Sequence, residues 1–168
     1  MNDKIQSSLN ALKFIIPFLE KKKFSWLITG GFAAYIYGVK RDLTDIDIDI
    51  ETEASTPLFQ EFLKEIKLYI IQDLEHYIDK NYDNYNVELI YEGQLIDICP
   101  SKNLKIFDKS KNGYRHFYEE GFPNPTMKEF KGLLLPLLPK DIIIKNKEML
   151  VSQRETDIKD IESLKKLK

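Results

Sequence analysis

Apolar and polar positions repeat along this chain with two different periods, and the changes of period mark its elements. From Ile5 to Lys22 the apolar residues Leu9, Leu12, Ile15, Ile16 and Leu19 fall on one helical face. Pro17 inside that pattern predicts a kink or two pieces. Phe24 to Thr29 is a short apolar run ending on Gly30-Gly31, which reads as a strand feeding a tight turn. Phe32 to Tyr37 predicts a short helix that stops at Gly38. A polar loop, Arg41 to Thr44, follows. Then Asp45-Ile-Asp-Ile-Asp-Ile-Glu51 alternates strictly, the period of a strand that sends every isoleucine to one face and every carboxylate to the other.

Thr56 and Pro57 have the chemistry of a helix start, and Leu58 to Ile71 reads as an amphipathic helix. The polar and aromatic stretch from Asp73 to Asn86 favours no element. Val87–Tyr91 and Gln94–Cys99, joined by Glu92-Gly93, predict a hairpin. Lys102 to Pro125 reads as a long connection with strand pieces and a mobile segment around Asn112-Gly113. Gly132 to Leu138 is apolar, Pro139 opens a helix through Leu150, and Arg154 to Leu167 is a last helix. With no repeat, low-complexity tract or linker, the expectation is one domain over residues 1–168, its C-terminal helical part spanning about 139–168.

Composition narrows the function classes. The chain has 168 residues, 43% hydrophobic and 31% charged, which suits a globular domain with a true core. A net charge of −2 gives no bulk attraction to nucleic acid or anionic membrane. The single cysteine, Cys99, excludes an internal disulfide or a cysteine metal cluster and is expected to be buried and inert. His76 and His116 lack the partner pattern of a zinc site or nucleophilic triad and read as surface. Residues 1–10 show no signal peptide and no apolar run is long enough to span a bilayer, so the cytoplasm is the expected compartment.

The acidic strand is the chemical anomaly. Like charges crowded on one strand face repel. A solvated edge strand tolerates charge, but such edges usually mix in lysine, and this run has no cation. A divalent cation removes the repulsion, and magnesium takes hard oxygen ligands, usually one or two carboxylates plus substrate phosphates. Gly30-Gly31 before a helix would let backbone approach a phosphate, although a plain tight turn has the same sequence. Asp97 alternates with isoleucines in Leu95-Ile-Asp-Ile-Cys99 and would join the acidic face if its strand neighbours the first. The chain lacks the calcium-loop pattern of oxygen ligands around a central glycine.

Taken together, these motifs resemble the nucleotidyltransferase superfamily that contains DNA polymerase beta and the antibiotic nucleotidyltransferases. Ile28-Thr29-Gly30-Gly31 matches the glycine motif with Thr29 as one extra residue, Asp45-Ile46-Asp47 matches the paired aspartates, and Asp97 matches the third carboxylate. The closer likeness is to small lincosamide and aminoglycoside nucleotidyltransferases and to AbiEii-like toxins. It extends through Trp26–Gly31, Arg41, Asp45–Asp49 and Leu95–Pro100 to a tail of Lys147, Arg154, Asp157 and Asp160, where Thr156 replaces a usual lysine.

The resemblance implies an α+β fold: a mixed β-sheet with helices packed on one face and C-terminal helices. It implies transfer of a nucleoside monophosphate from a nucleoside triphosphate such as ATP to a hydroxyl, with magnesium or manganese held by Asp45, Asp47 and Asp97. Asp47 with Asp49 is the alternative pair, and Asp97 reads equally as metal ligand or as base. Thr29, Gly30, Gly31, Arg41, Lys147 and Arg154 are expected at the nucleotide. Arg41 pairing a nearby carboxylate, Lys147 on a solvated helix face, and Arg154 in a charge ladder with Asp157 and Asp160 are the competing roles. Trp26, Phe32 and Tyr35 read as core, and Tyr114, Phe117, Tyr118 and Phe122 read as acceptor pocket or satellite core. A small-molecule acceptor is expected. The alternatives are a toxin acting on tRNA or protein and a non-catalytic nucleotide-binding module; a homodimer or a partner protein is a further expectation for the chain.

Overall fold

A computed structural model describes residues 3–167. The chain runs α1 (Asp3–Lys21), β1 (Trp26–Ile28), α2 (Gly30–Tyr37), β2 (Asp45–Ile50), α3 (Pro57–Glu65), β3 (Ile70–Ile78), β4 (Tyr82–Tyr91), β5 (Gln94–Pro100), β6 (Lys105–Asp108), β7 (Gly113–His116), β8 (Thr126–Phe130), β9 (Leu133–Leu137), α4 (Lys140–Met149) and α5 (Glu155–Lys166). The strands form one sheet in the order β7-β6-β4-β5-β2-β1-β9-β8, with β3 also paired to β4. It is mixed: β2 is parallel to β5 and antiparallel to β1, while β1 is parallel to β9. This is the expected α+β architecture.

Strict alternation does the work at the centre. Ile46, Ile48 and Ile50 of β2 and Ile96 and Ile98 of β5 are fully buried, in one core with Leu12, Ile15 and Leu19 of α1 and with Phe32, Phe59 and Phe62. Sliding either strand by one residue would turn this apolar set to the other face, so burial locks the register. α1 runs through Pro17 as one helix. The proline and Lys13, whose carbonyl it leaves without an N–H partner, both lie on the exposed side, where water can satisfy that carbonyl. Gly38 ends α2 in the left-handed region, φ 118°, as its position suggests.

One expectation needs correction, and two open stretches are resolved. The helix from Leu58 stops at Glu65 rather than Ile71; a single 3-10 turn, Lys67–Tyr69, then leads into β3. The undecided stretch Asp73–Asn86 lies largely within the β3–β4 hairpin. Most of β3 is exposed or half-exposed, so its sequence carries no clear apolar alternation to read. The long connection Lys102–Pro125 contains the β6–β7 hairpin, and β8 follows it directly. The β4–β5 turn is as expected: Glu92 and Gly93 both have positive φ, 46° and 78°, as in a type I′ hairpin.

One buried polar bridge ties α1 to the loop ahead of β2. The Ser8 hydroxyl donates to Gln94 Oε1 at 2.9 Å, and Gln94 Nε2 donates to the Thr44 carbonyl at 3.1 Å. Gln94→Ala is expected to remove this bridge and destabilise the fold by about 1 kcal/mol in urea unfolding, with the denaturant slope unchanged, because the Ser8 hydroxyl keeps the Lys4 carbonyl at 2.9 Å and the exposed Thr44 is open to water.

Candidate functional site

The register of two parallel strands builds the acidic floor. Asp47 pairs with Asp97, Asp45 with Leu95 and Asp49 with Cys99. On the far side of β5, Asp97 lies opposite Glu88 of β4. Directly paired residues share a sheet face, so Asp47, Asp97 and Glu88 form a row across three adjacent strands. Asp45 and Asp49 stand one pleat to either side of Asp47 on that same face.

The glycine turn lies against this row. The Thr29 N–H donates to the Asp47 carbonyl at 2.9 Å. Gly30 has φ +57°, and a Cβ there would fall 1.8 Å from Asp47 Oδ2. No side chain fits between this backbone and the carboxylate. The Gly31 backbone N–H favours the ionised form of the Asp47 carboxylate. A Cβ on Gly31 would meet the Arg41 guanidinium at 2.4 Å. One glycine therefore abuts an anion and the next a cation, both at the start of α2.

Behind the glycines runs a relay of ion pairs. Arg41 Nη1 donates to Asp160 Oδ2 at 2.5 Å, and Lys147 Nζ lies 3.0 Å from that same oxygen. Lys147 also donates to Asp157 Oδ1 at 2.6 Å. Arg154 Nε donates to Asp157 Oδ2 at 3.0 Å and Arg154 Nη2 to Asp157 Oδ1 at 3.2 Å. Asp157 and Asp160 are each only 1% exposed. Such buried carboxylates require this degree of pairing.

The two acid sets sit in opposite electrostatic states. Burial, then the neighbouring Asp45, pushes the Asp47 carboxyl well above the usual carboxylate range, against the pull of Lys147, the Gly31 N–H and Arg41. Burial, then Asp47, raises Asp97 to about 7, with one hydrogen bond from Asn86 opposing. Burial also raises Asp49 to about 7 despite the Tyr118 hydroxyl that donates to it. For Asp157 burial pushes upward too, but hydrogen bonds from Arg154 and Lys147 outweigh it and hold the carboxyl far below its ordinary range.

The structure thus brings Asp45, Asp47, Asp97, Gly30, Gly31 and Arg41 together. Thr29 contributes backbone only, since its side chain does not cap α2. Lys147 is not on a solvated helix face; it is 8% exposed, a burial made possible by the aspartates of α5. Arg154 pairs with Asp157 but keeps a side chain 75% exposed at the rim. The charge ladder is partial, because Asp160 takes Arg41 and Lys147 instead. Asp49 is not simple surface: it is 5% exposed and engaged by Tyr118, which packs on Phe117 and Phe122 in a satellite cluster. His76 and His116 are exposed. Glu88 and Asn86 were missed by the sequence reading, although their alternation with Val87 and Leu89 marks them as facing away from the core. Asp160 was visible only as part of a tail pattern.

Among the described residues, no three His, Cys, Asp or Glu side chains converge closely enough to hold a metal ion unaided. The donors nonetheless fit a hard cation that brings its own phosphates. Asp47 and Asp97 are neighbouring oxygen donors whose like charge opposes ionisation, and Asp45 adds a third close by.

No family model matches the chain, and no curated protein matches it by sequence. Solved structures do match. A Thermotoga maritima protein assigned as a nucleotidyltransferase superposes with a TM-score of 0.68 at 17% identity, covering 96% of this chain and 92% of its own. The lincosamide antibiotic adenylyltransferase LnuA, solved with lincomycin bound, matches at 0.57 and 18%, covering 94% of this chain and 96% of its own. The antibiotic-resistance factor ANT(2'')-Ia matches at 0.57 and 16%, covering 95% and 82%. The fold is that of the nucleotidyltransferases. No helix among the described residues is long and apolar enough to cross a membrane.

The raised carboxyls set a pH dependence. They hold protons more tightly in the folded chain than in the unfolded one, so their contribution to stability falls as pH rises from about 4 to about 7, then levels off. Asp157 acts oppositely: its contribution is present above the ordinary carboxylate range and is lost only in acid. Asp97→Asn is therefore expected to stabilise the metal-free protein at pH 8 by about 1–2 kcal/mol and to give little gain at pH 4. Thermal unfolding at the two pH values checks this; an equal effect at both would contradict the repulsion described here.

Proposed function

We propose that the chain is a metal-dependent nucleotidyltransferase that moves a nucleoside monophosphate, ATP being the favoured donor, to a hydroxyl of a small molecule. The observation that carries this reading is the Asp47–Asp97 register beside a glycine turn that only hydrogen-sized side chains allow. The nucleotidyltransferase fold supports it, as do the antibiotic-modifying activities named for LnuA among the structures of that fold.

In this reading Asp45 and Asp47, with Asp97 beside them, hold magnesium or manganese, which when bound offsets charge on the triphosphate and on the departing pyrophosphate. Gly30 and Gly31 give the phosphates close access to the backbone at the start of α2. Arg41 and Lys147 face the phosphates, and Arg154 lies at the rim. The acceptor oxygen bonds to the α-phosphorus while the bond to the β-phosphate bridging oxygen breaks. Asp97 either ligates a metal or takes the acceptor proton. Asp45 and Asp47 make the better metal pair, because Asp49 is already engaged by Tyr118.

A small-molecule acceptor is favoured by the floor itself. The row continues past Asp97 into Glu88, carrying negative charge away from the glycine turn to where a polynucleotide backbone would be repelled. The cytoplasm, with its nucleoside triphosphates, is the matching compartment.

Purified protein with magnesium is expected to bind nucleoside triphosphate and to label a hydroxyl compound from an α-labelled donor. Asp47→Asn or Asp45→Asn should lower metal-dependent binding or transfer by at least about a hundredfold. Tight nucleotide binding that needs no divalent cation and survives both changes would overturn the assignment.

A further inference from the structure

We propose that Asp160 is a positioning residue for the triphosphate grip, and that α5 thereby belongs to the donor site. This rests on the nucleotidyltransferase reading above. Asp160 lies on the buried side of α5, with Asp157, Ile161 and Leu164. One of its oxygens takes Arg41 from the loop ahead of β2 and Lys147 from α4. These two cations come from elements far apart in sequence and meet on that one oxygen.

An ion cluster that served only to fasten α5 to α4 would have no need of Arg41. Yet Arg41 reaches Asp160 from a loop, with its guanidinium pressed over Gly31 at the positive end of α2. A cation at a helix N-terminus is electrostatically misplaced unless anions surround it. Asp160 supplies one anion and holds the planar group in a fixed orientation. Arg41 keeps donors after its contacts with Asp160 and the Asp42 carbonyl, and Lys147 keeps one of its three after Asp157 and Asp160. A phosphate arriving beside Gly31 can therefore bond both cations while Asp160 keeps them aimed.

The alternative role predicts the opposite sign. If Asp160 merely neutralised the cations, replacing it by a neutral residue would strengthen anion binding. If it positions them, the same change weakens binding, because two long side chains must be ordered anew for each ligand.

The test uses the full chain with inorganic tripolyphosphate, without divalent cation, by titration calorimetry. The wild-type protein is expected to bind, and Asp160→Asn to bind about tenfold more weakly. Asp160→Asn combined with Arg41→Gln should lose less than the product of the two single losses, the signature of action through Arg41. Equal or tighter binding by Asp160→Asn, or full multiplicativity, overturns the proposal and leaves the nucleotidyltransferase reading standing. A wild-type protein that binds neither tripolyphosphate nor a magnesium nucleotide overturns both. Should Asp160→Asn fail to fold by circular dichroism, hydrogen exchange in the wild-type protein decides. Amides of residues 155–166 should exchange several-fold more slowly with tripolyphosphate present. Unchanged exchange at saturating ligand sinks the proposal.

Discussion

Two carboxylates held side by side on neighbouring parallel strands are the constraint on which the rest of this structure depends. Asp47 and Asp97 share a register position, so they cannot move apart without breaking the β2–β5 ladder. The ladder in turn is fixed by the isoleucines that alternate with them and lie fully buried on the other face. Hydrophobic burial at roughly 25 cal/mol per Å2 over several such side chains easily exceeds the repulsion between two partly protonated acids. The fold can therefore hold an unfavourable charge arrangement at its centre.

How the protein handles its buried acids differs sharply between its two halves. Asp157 and Asp160 in α5 are almost wholly buried, yet each is met by two basic side chains. Their charge is internally satisfied. Among the sheet acids, Asp97 receives only an amide hydrogen bond from Asn86, and no basic side chain pairs directly with Asp47 among the described residues. Of the three buried side-chain polar atoms without partners among the described residues, the Asn84 and Asn86 amide oxygens lie on β4 beside this floor, and Asn146 Nδ2 lies on α4. The uncompensated half is where an external cation has something to do.

Much of this was legible in the sequence because one period carried it. In β2 and β5, alternation fixed both the element and the face of every carboxylate, and only strand adjacency remained to be supplied. Helices α1, α2, α4 and α5 were similarly marked by apolar spacing, glycine or proline. What escaped was whatever lacked a buried stripe. β3 contributes little to the core, so Ile70–Ile78 offered no pattern, and the helix expected through Ile71 was drawn too long. Glu88 and Asn86 look like ordinary exposed strand positions until pairing with β5 places them beside Asp97. The pairing of Arg41 with Asp160 joins residues 119 positions apart, a separation that no local period can report.

Glycine explains why the two charged regions meet where they do. At position 30 the backbone is pressed against a carboxylate, and at position 31 against a guanidinium. Any larger residue at either place would push apart the floor acids and the cation relay, which otherwise belong to different parts of the chain. The left-handed φ of Gly30 then turns the backbone into α2, so that the helix N-terminus opens between them. An anion bound there would meet a positive helix end and two cations held in place by α5. Its charge would in turn favour a metal ion on the carboxylates below. The carboxylate floor is electrostatically incomplete alone, and the feature that would let one ligand span it and the cation relay is the absence of two side chains.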